Sequence, residues 1–197
     1  MPEKLSNDLC SLRPDGPRAT LAVHMWIDKA GKLLRHSFVR GLMLSRARLT
    51  YEQVQAAREG NPDETTRPIM ENVIEPLYAA WKILDAARVE RGALDLDIPE
   101  RKIVVDDAGR MTGVAVRERL DSHRLIEEFM VLANVAAAEA LEAKKAPCVY
   151  RIHDRPTGDK LMAASTFLDA FGLTLPKTGL ANSGQLNQIL EKAKELK

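Results

Sequence analysis

The sequence predicts an α/β chain of α+β character: a mixed, largely antiparallel sheet packed by helices. Three observations carry this. Two neighbouring runs, Ala19–Asp28 and Leu33–Leu44, fit extended strands, the first alternating apolar residues at Leu21, Val23, Met25 and Ile27. A stretch from Asp121 or Ser122 to about Ala143 repeats apolar residues at helical spacing. Gly, Pro and Asp clusters cut the remainder into shorter helices and strands.

Taken in order, Lys29-Ala30-Gly31-Lys32 is a turn, so the first two strands form a hairpin or meander. Thr50 is an N-cap, and Gln53 three residues on completes a capping box for a helix to about Arg58. Gly60-Asn61-Pro62 stops it. Pro68 to Glu90 has helical spacing (Ile69, Val73, Leu77, Ala80, Leu84), ends at Gly92, and should break or kink at Pro76. Leu94–Leu96, Lys102–Val105 and Gly113–Arg117 are short strands, with Asp106-Asp107-Ala108-Gly109 turning between the last two. The 121–143 helix carries two apolar rows and should be buried. Cys148–Ile152 is a short extended segment, Asp154–Pro156 a turn, and Gly158–Phe171 and Ser183–Leu196 are helices.

Composition narrows the class. The chain has 197 residues, 45% apolar and 29% charged, with a formal net charge of +1. That describes a globular protein and excludes a wholly basic nucleic-acid binder. Cys10 and Cys148 are too few for a disulfide scaffold, and His24, His36, His123 and His153 stand singly. No apolar stretch is long enough to cross a membrane, and Met1–Asn7 carry no signal pattern, so a reducing, cytoplasmic setting is expected. The charge is uneven. Between Asp28 and Glu52 lie Lys29, Lys32, Arg35, Arg40, Arg46 and Arg48 with no acid among them, followed by Tyr51. Such a strip is either a solvated strand face or a track for phosphates, and an aromatic beside it suits a stacked base.

The candidates for chemistry are few. There is no nucleophile elbow, P-loop or dinucleotide fingerprint. Asp95 and Asp97 would share one face of a strand, where they either meet solvent or hold Mg2+. Asp106 and Asp107 read as turn residues. On the long helix Arg124, Glu127, Val131 and Asn134 follow at spacings of three and four, making either an exposed stripe with an internal Arg124–Glu128 pair or a ligand-contacting strip.

Several segments together resemble the ribonuclease II/ribonuclease R family, nearer its ribonuclease R branch. They are Leu5-Ser6-Asn7-Asp8-Leu9-Cys10-Ser11-Leu12, Ala47-Arg48-Leu49-Thr50-Tyr51, Leu120-Asp121-Ser122-His123-Arg124-Leu125-Ile126-Glu127-Glu128 through Ala136, and Tyr150-Arg151-Ile152-His153-Asp154. The resemblance implies a processive, Mg2+-dependent 3′→5′ exoribonuclease that hydrolyses single-stranded RNA to nucleoside 5′-monophosphates. It places Tyr51 near the terminal ribose and makes Glu127 the carboxylate that favours ribose, since a carboxylate accepts a bond from a 2′-OH that DNA lacks. Arg46, Arg48, Arg124 and Asn134 become RNA-contact candidates. Leu96 stands where some members have a base-stacking Phe. The resemblance further implies that residues 1–197 are the central part of one RNB-type catalytic domain. The metal-binding aspartates would lie upstream of Met1, the assisting arginine beyond Lys197, and the cold-shock and S1 domains outside. On that reading this chain holds no catalytic residue or tight Mg2+ site and is inactive alone; its partners are single-stranded RNA and the missing parts of the domain. The alternative is a non-catalytic RNA-binding or interaction remnant completed by another chain.

Overall fold

The computed structural model describes residues 1–14, 16–94, 100–152, 154, 156–175 and 183–195. Along the chain come β1 (Arg18–Ile27), β2 (Leu33–Met43), α1 (Tyr51–Arg58), α2 (Glu75–Glu90), β3 (Glu100–Val105), β4 (Met111–Arg117), α3 (Asp121–Ala143), α4 (Gly158–Asp169) and α5 (Ser183–Lys194). Two units result, Met1–Ala87 with Glu100–Ala146, and Arg88–Pro99 with Pro147–Lys197.

The strands of the first unit make two separate antiparallel hairpins, β1–β2 and β3–β4, where the sequence suggested one mixed sheet. Each hairpin closes on an aspartate. The Asp28 carboxylate accepts the N–H groups of Ala30 and Lys32, both at 2.9 Å, and Asp106 does the same for Ala108 and Arg110. The first turn also touches α2. Gly31 has φ 75°, and a Cβ there would lie 2.7 Å from the Ala87 Cβ and 3.0 Å from the Ile83 carbonyl oxygen. Only glycine lets this tip approach so closely.

Between the hairpins the chain builds its core. Ala57, Ile74, Tyr78, Trp81 and Leu125 are buried together, with Val54, Ile69, Met70 and Phe129 packed around them. These residues come from α1, α2, α3 and the turns before α2. Tyr78 meets Trp81 edge to face, ring centroids 5.7 Å apart. The break expected at Pro76 falls slightly earlier. A 3₁₀ turn (Arg67–Ile69) and a wide π turn (Met70–Ile74) precede α2, which leaves Pro76 in the first α-helical turn. The wide turn ahead of it ends with Glu75 N–H on Met70 O, immediately before the proline that has no N–H to give. Thr66, fully buried, is held by Asp63, whose carboxylate accepts its hydroxyl at 2.7 Å and its N–H at 2.8 Å.

Helix α3 matches its expected limits but not its expected burial. Ser122, Leu125, Glu128 and Ala136 are buried, whereas Ile126, Met130, Val131, Val135 and Leu141 are exposed. Apolar periodicity states how much surface a helix offers for burial; the neighbouring elements decide how much is covered, and here they cover one side. The helix closes with Ala146 N–H bonded to Leu141 O and Lys145 N–H to Glu142 O, which sets Lys145 at φ 52°.

The second unit contains α4 and α5. α4 ends at Asp169, short of Phe171, because Gly172 at φ 72° closes it with Leu173 N–H on Leu168 O. Asn187 of α5 donates to Ala93 O at 2.9 Å. Residues 148–152 form no strand. The strand expected at Leu94–Leu96 falls largely outside the described residues, as do parts of the Asp154–Pro156 turn and the end of the last helix.

Burial raises the Tyr78 phenol above its ordinary pKa of 10.0, reinforced by the Asp121 charge and opposed by Arg58. Its contribution to stability is therefore intact below pH 10 and lost as pH rises through the higher folded value. Thermal melts between pH 7 and 11 should show a midpoint falling above pH 10, and Tyr78→Phe should blunt that fall. An identical alkaline fall in the variant would contradict this assignment.

Candidate nucleic-acid interface

The interface begins at the cap of α1. The Thr50 hydroxyl accepts Gln53 N–H at 3.2 Å, and the Gln53 side-chain carbonyl accepts Thr50 N–H at 2.9 Å. This reciprocal capping box fixes where the basic segment ends and the helix starts, and it makes Tyr51 the first helical residue. The Tyr51 ring stacks on His123, centroids 4.2 Å apart and planes 23° from parallel. Ser122 Oγ donates to the Tyr51 carbonyl at 2.9 Å. One turn along α1, Gln55 Oε1 accepts Ser122 N–H at 3.2 Å and Tyr78 O–H at 3.4 Å. The N-terminus of α3 is thereby joined to α1 by two hydrogen bonds and a stacked pair of rings.

The next turn of α3 carries Glu127. His123 and Glu127 are four residues apart and so lie on one helix face. Tyr51, seated on His123, and Glu127 thus occupy neighbouring places along it. The Glu127 carboxylate is paired with the Arg119 guanidinium at 2.5 Å, both side chains partly exposed. Tyr51 retains 39% of its surface, so the stack on His123 does not bury it. Asn134 lies seven residues beyond Glu127, roughly 10 Å along the helix axis, and is exposed. Arg46 and Arg48 are exposed in the irregular segment leading into α1.

Arg124 is placed differently. Its guanidinium bonds the Asp85 carboxylate of α2 at 3.1 Å, not Glu128, and sits 5.9 Å from the Trp81 ring centroid. The within-helix pair expected from the i, i+4 spacing gives way because Arg124 projects towards α2, where a carboxylate waits beside an aromatic face. Arg124 is about three-quarters buried, and neither its Nε nor Trp81 Nε1 has a hydrogen-bond partner among the described residues.

No three His, Cys, Asp or Glu side chains converge to hold a metal ion among the described residues. Asp106 serves its turn: bonds from the Arg110 and Ala108 backbone and the Arg110 side chain hold its carboxyl below the usual value. Asp95, Leu96 and Asp97 lie outside the described residues.

The comparisons with known proteins agree with this architecture. The RNB domain family matches residues 1–197. The chain belongs to the RNB domain family. Ribonuclease R of Escherichia coli (strain K12) is 35% identical over 193 residues, which is 97% of this chain and 24% of that protein. Ribonuclease R of Aquifex aeolicus is 37% identical over 175 residues, 87% of this chain and 24% of that one. Among solved structures, Mycoplasma genitalium RNase R in complex with ribose-methylated single-stranded RNA superposes with a TM-score of 0.87 at 28% identity, covering 99% of this chain and 31% of that chain. The same enzyme in complex with double-stranded RNA superposes equally well. This RNB chain therefore spans about a quarter of the length of its curated relatives.

The sequence marks Tyr51, Glu127, Arg46, Arg48, Arg124 and Asn134 as site candidates but gives no such role to Gln55, Ser122, His123, Asp85 and Arg119. The available signal was Ser122-His123 at a helix start, with His123 where a capping box places Glu or Gln. A further cluster is visible only in three dimensions: Arg35 lies 3.7 Å over the exposed Trp26 ring, across the hairpin.

Ser122→Ala removes the hydroxyl that ties α3 to the Tyr51 carbonyl, in a site where the residue is 3% exposed. Urea unfolding should show a loss of about 1–3 kcal/mol, the range for a broken buried hydrogen bond. A loss within experimental scatter would mean that the Ser122 bond does not hold the junction.

Proposed function

We propose that residues 1–197 form the central part of one RNB catalytic domain and supply an RNA-holding surface of a ribonuclease R-like 3′→5′ exoribonuclease acting on single-stranded RNA in the cytoplasm. The observation that carries the proposal is the match of the whole chain to the RNB family and to the fold of an RNase R solved with RNA. The geometry supports a division of labour. Arg46 and Arg48, exposed ahead of α1, would neutralise phosphates and position the strand without reading its sequence. Tyr51 would lie against the terminal ribose. The Glu127 carboxylate would accept a hydrogen bond from a 2′-OH. Asn134 offers an amide further along the same helix. Arg124, bound to Asp85, would contribute by fixing α3 against α2.

Mg2+ is the cofactor that this family reading brings with it. Two-metal hydrolysis needs clustered carboxylates to stabilise the attacking and leaving oxygens. The described residues do not bring such a cluster together, so they do not fit the group, and no chemical step is assigned to them. Substrate holding is what these residues offer. The exposed apolar row of α3, with Met130 at 59% and Val131 at 52%, favours completion by further polypeptide, whether the rest of the same domain or another chain.

Three outcomes are expected. The 197-residue chain alone should release no mononucleotides from a single-stranded oligoribonucleotide in Mg2+ or Mn2+. EDTA-sensitive release, absent from a mock purification, would overturn the assignment of substrate holding without chemistry. Binding of the same oligonucleotide should weaken with salt. Arg46→Ala with Arg48→Ala should flatten the log–log slope by about 1.4, that is ~0.7 per lost phosphate contact on a single strand; an unchanged slope would remove the two arginines from the RNA path. Glu127→Ala should narrow the preference for RNA over DNA of the same sequence more than it weakens RNA binding, and an unchanged preference would remove Glu127 from ribose recognition.

A further inference from the structure

His123 is held in two ways that serve different ends. Leu120 N–H donates to its Nδ1 at 3.1 Å, and His123 N–H donates to the Leu120 carbonyl oxygen at 3.1 Å. The first bond is the N3 half of a capping box, with an imidazole where Glu or Gln ordinarily stands, and the second is a backbone bond of the first helical turn, since the Leu120 side chain has no acceptor. Capping alone would be served by either of those side chains. The ring offers something they lack, a flat face, and Tyr51 lies on it at 4.2 Å. An Nδ1 that accepts a backbone N–H leaves the proton of the neutral ring on Nε2. Nε2 is buried and has no acceptor among the described residues. The ring's orientation is thus set by the helix cap on one side and by the stacked tyrosine on its face.

The backbone of Tyr51 is already fixed by Ser122 Oγ on its carbonyl and by the Thr50–Gln53 cap. What those bonds leave free is the side chain, which turns about two dihedral angles at an exposed helix start. Among the described residues, the ring that stacks on it is His123. Glu127 follows one turn later on the same helix face, so the platform that holds Tyr51 belongs to the same rigid helix as the carboxylate.

We propose that His123 is the positioning residue of this surface: its capped imidazole fixes the Tyr51 ring at a set place relative to Glu127, so that the two contact one ribose together. The proposal rests on the reading of Tyr51 and Glu127 as the ribose-contacting pair. It assigns His123 no contact with RNA.

Two substitutions separate the platform from the cap. His123→Gln keeps a side-chain acceptor at the capping position and removes the flat face. His123→Phe keeps the face and removes the acceptor. The full chain of each is titrated with a fluorescein-labelled single-stranded RNA and with the DNA of the same sequence. Tyr51 ring protons are followed by NMR, assigned through Tyr51→Phe, and thermal midpoints are recorded. His123→Gln should lower the RNA-over-DNA affinity ratio by roughly three- to tenfold, the range implied by loss of an aromatic stack. It should also relax the Tyr51 ring shifts while leaving the midpoint near wild type. His123→Phe should lower the midpoint yet keep both the ratio and the shifts. A purely structural role predicts the reverse order, with discrimination following the midpoint, and that result overturns the proposal. If the wild-type chain shows no preference for RNA, the ribose-pair reading fails, and the NMR decides the platform alone. Ring-current-shifted Tyr51 protons lost in His123→Gln and kept in His123→Phe would sustain the platform; unshifted protons in the wild type would overturn it.

Discussion

The position of the candidate surface depends on one junction, the contact between the first turn of α3 and the first turn of α1. Gln55 accepts hydrogen bonds from both Ser122 and Tyr78, so a single side-chain oxygen ties α1 to α3 and to α2. The apolar core beneath, centred on Tyr78, Trp81 and Leu125, supplies the burial that makes these bonds obligatory. A donor such as Ser122 that is nearly excluded from water must find an acceptor, and the acceptor it finds is the Tyr51 carbonyl. Packing energy is converted in this way into the location of one exposed aromatic side chain.

The arrangement separates support from contact. Arg124, Asp85 and Trp81 face inwards between α2 and α3, where an ion pair largely removed from water couples the helices. Tyr51, Glu127 and Asn134 face outwards. The basic residues follow the same logic along the chain. Arg46 and Arg48 sit in an irregular segment with no fixed ladder partner, suited to following a backbone, whereas Arg35 is committed to Trp26 across the hairpin.

What was legible in the sequence was what local chemistry controls. Period-two alternation placed β1 and the turn after it placed the start of β2, each to within a residue or two, and the Thr50–Gln53 pair announced α1 together with its hydrogen bonds. The limits of α3 followed from its periodicity. Information that depends on distant partners was not legible. The apolar rows of α3 could not reveal that Met130, Val131 and Val135 stay exposed, because coverage is a property of neighbours. Arg124 looked towards Glu128 by spacing, yet Asp85 lies closer once α2 packs alongside. His123 read as an isolated histidine because its role needs Tyr51, brought to it only by the fold. Motifs shared with an RNA-degrading family, by contrast, marked Tyr51 and Glu127 without any knowledge of the contacts that position them.

The proposed path of RNA along this chain runs from Arg46 through Tyr51 to the first turns of α3. Amide hydrogen exchange with and without a single-stranded oligoribonucleotide tests it most directly. RNA on that path should slow exchange in residues 44–55 and 120–130 and leave the β3–β4 hairpin and α5 unchanged. Slowing confined to those last two elements, or no slowing anywhere at saturating RNA, would contradict it.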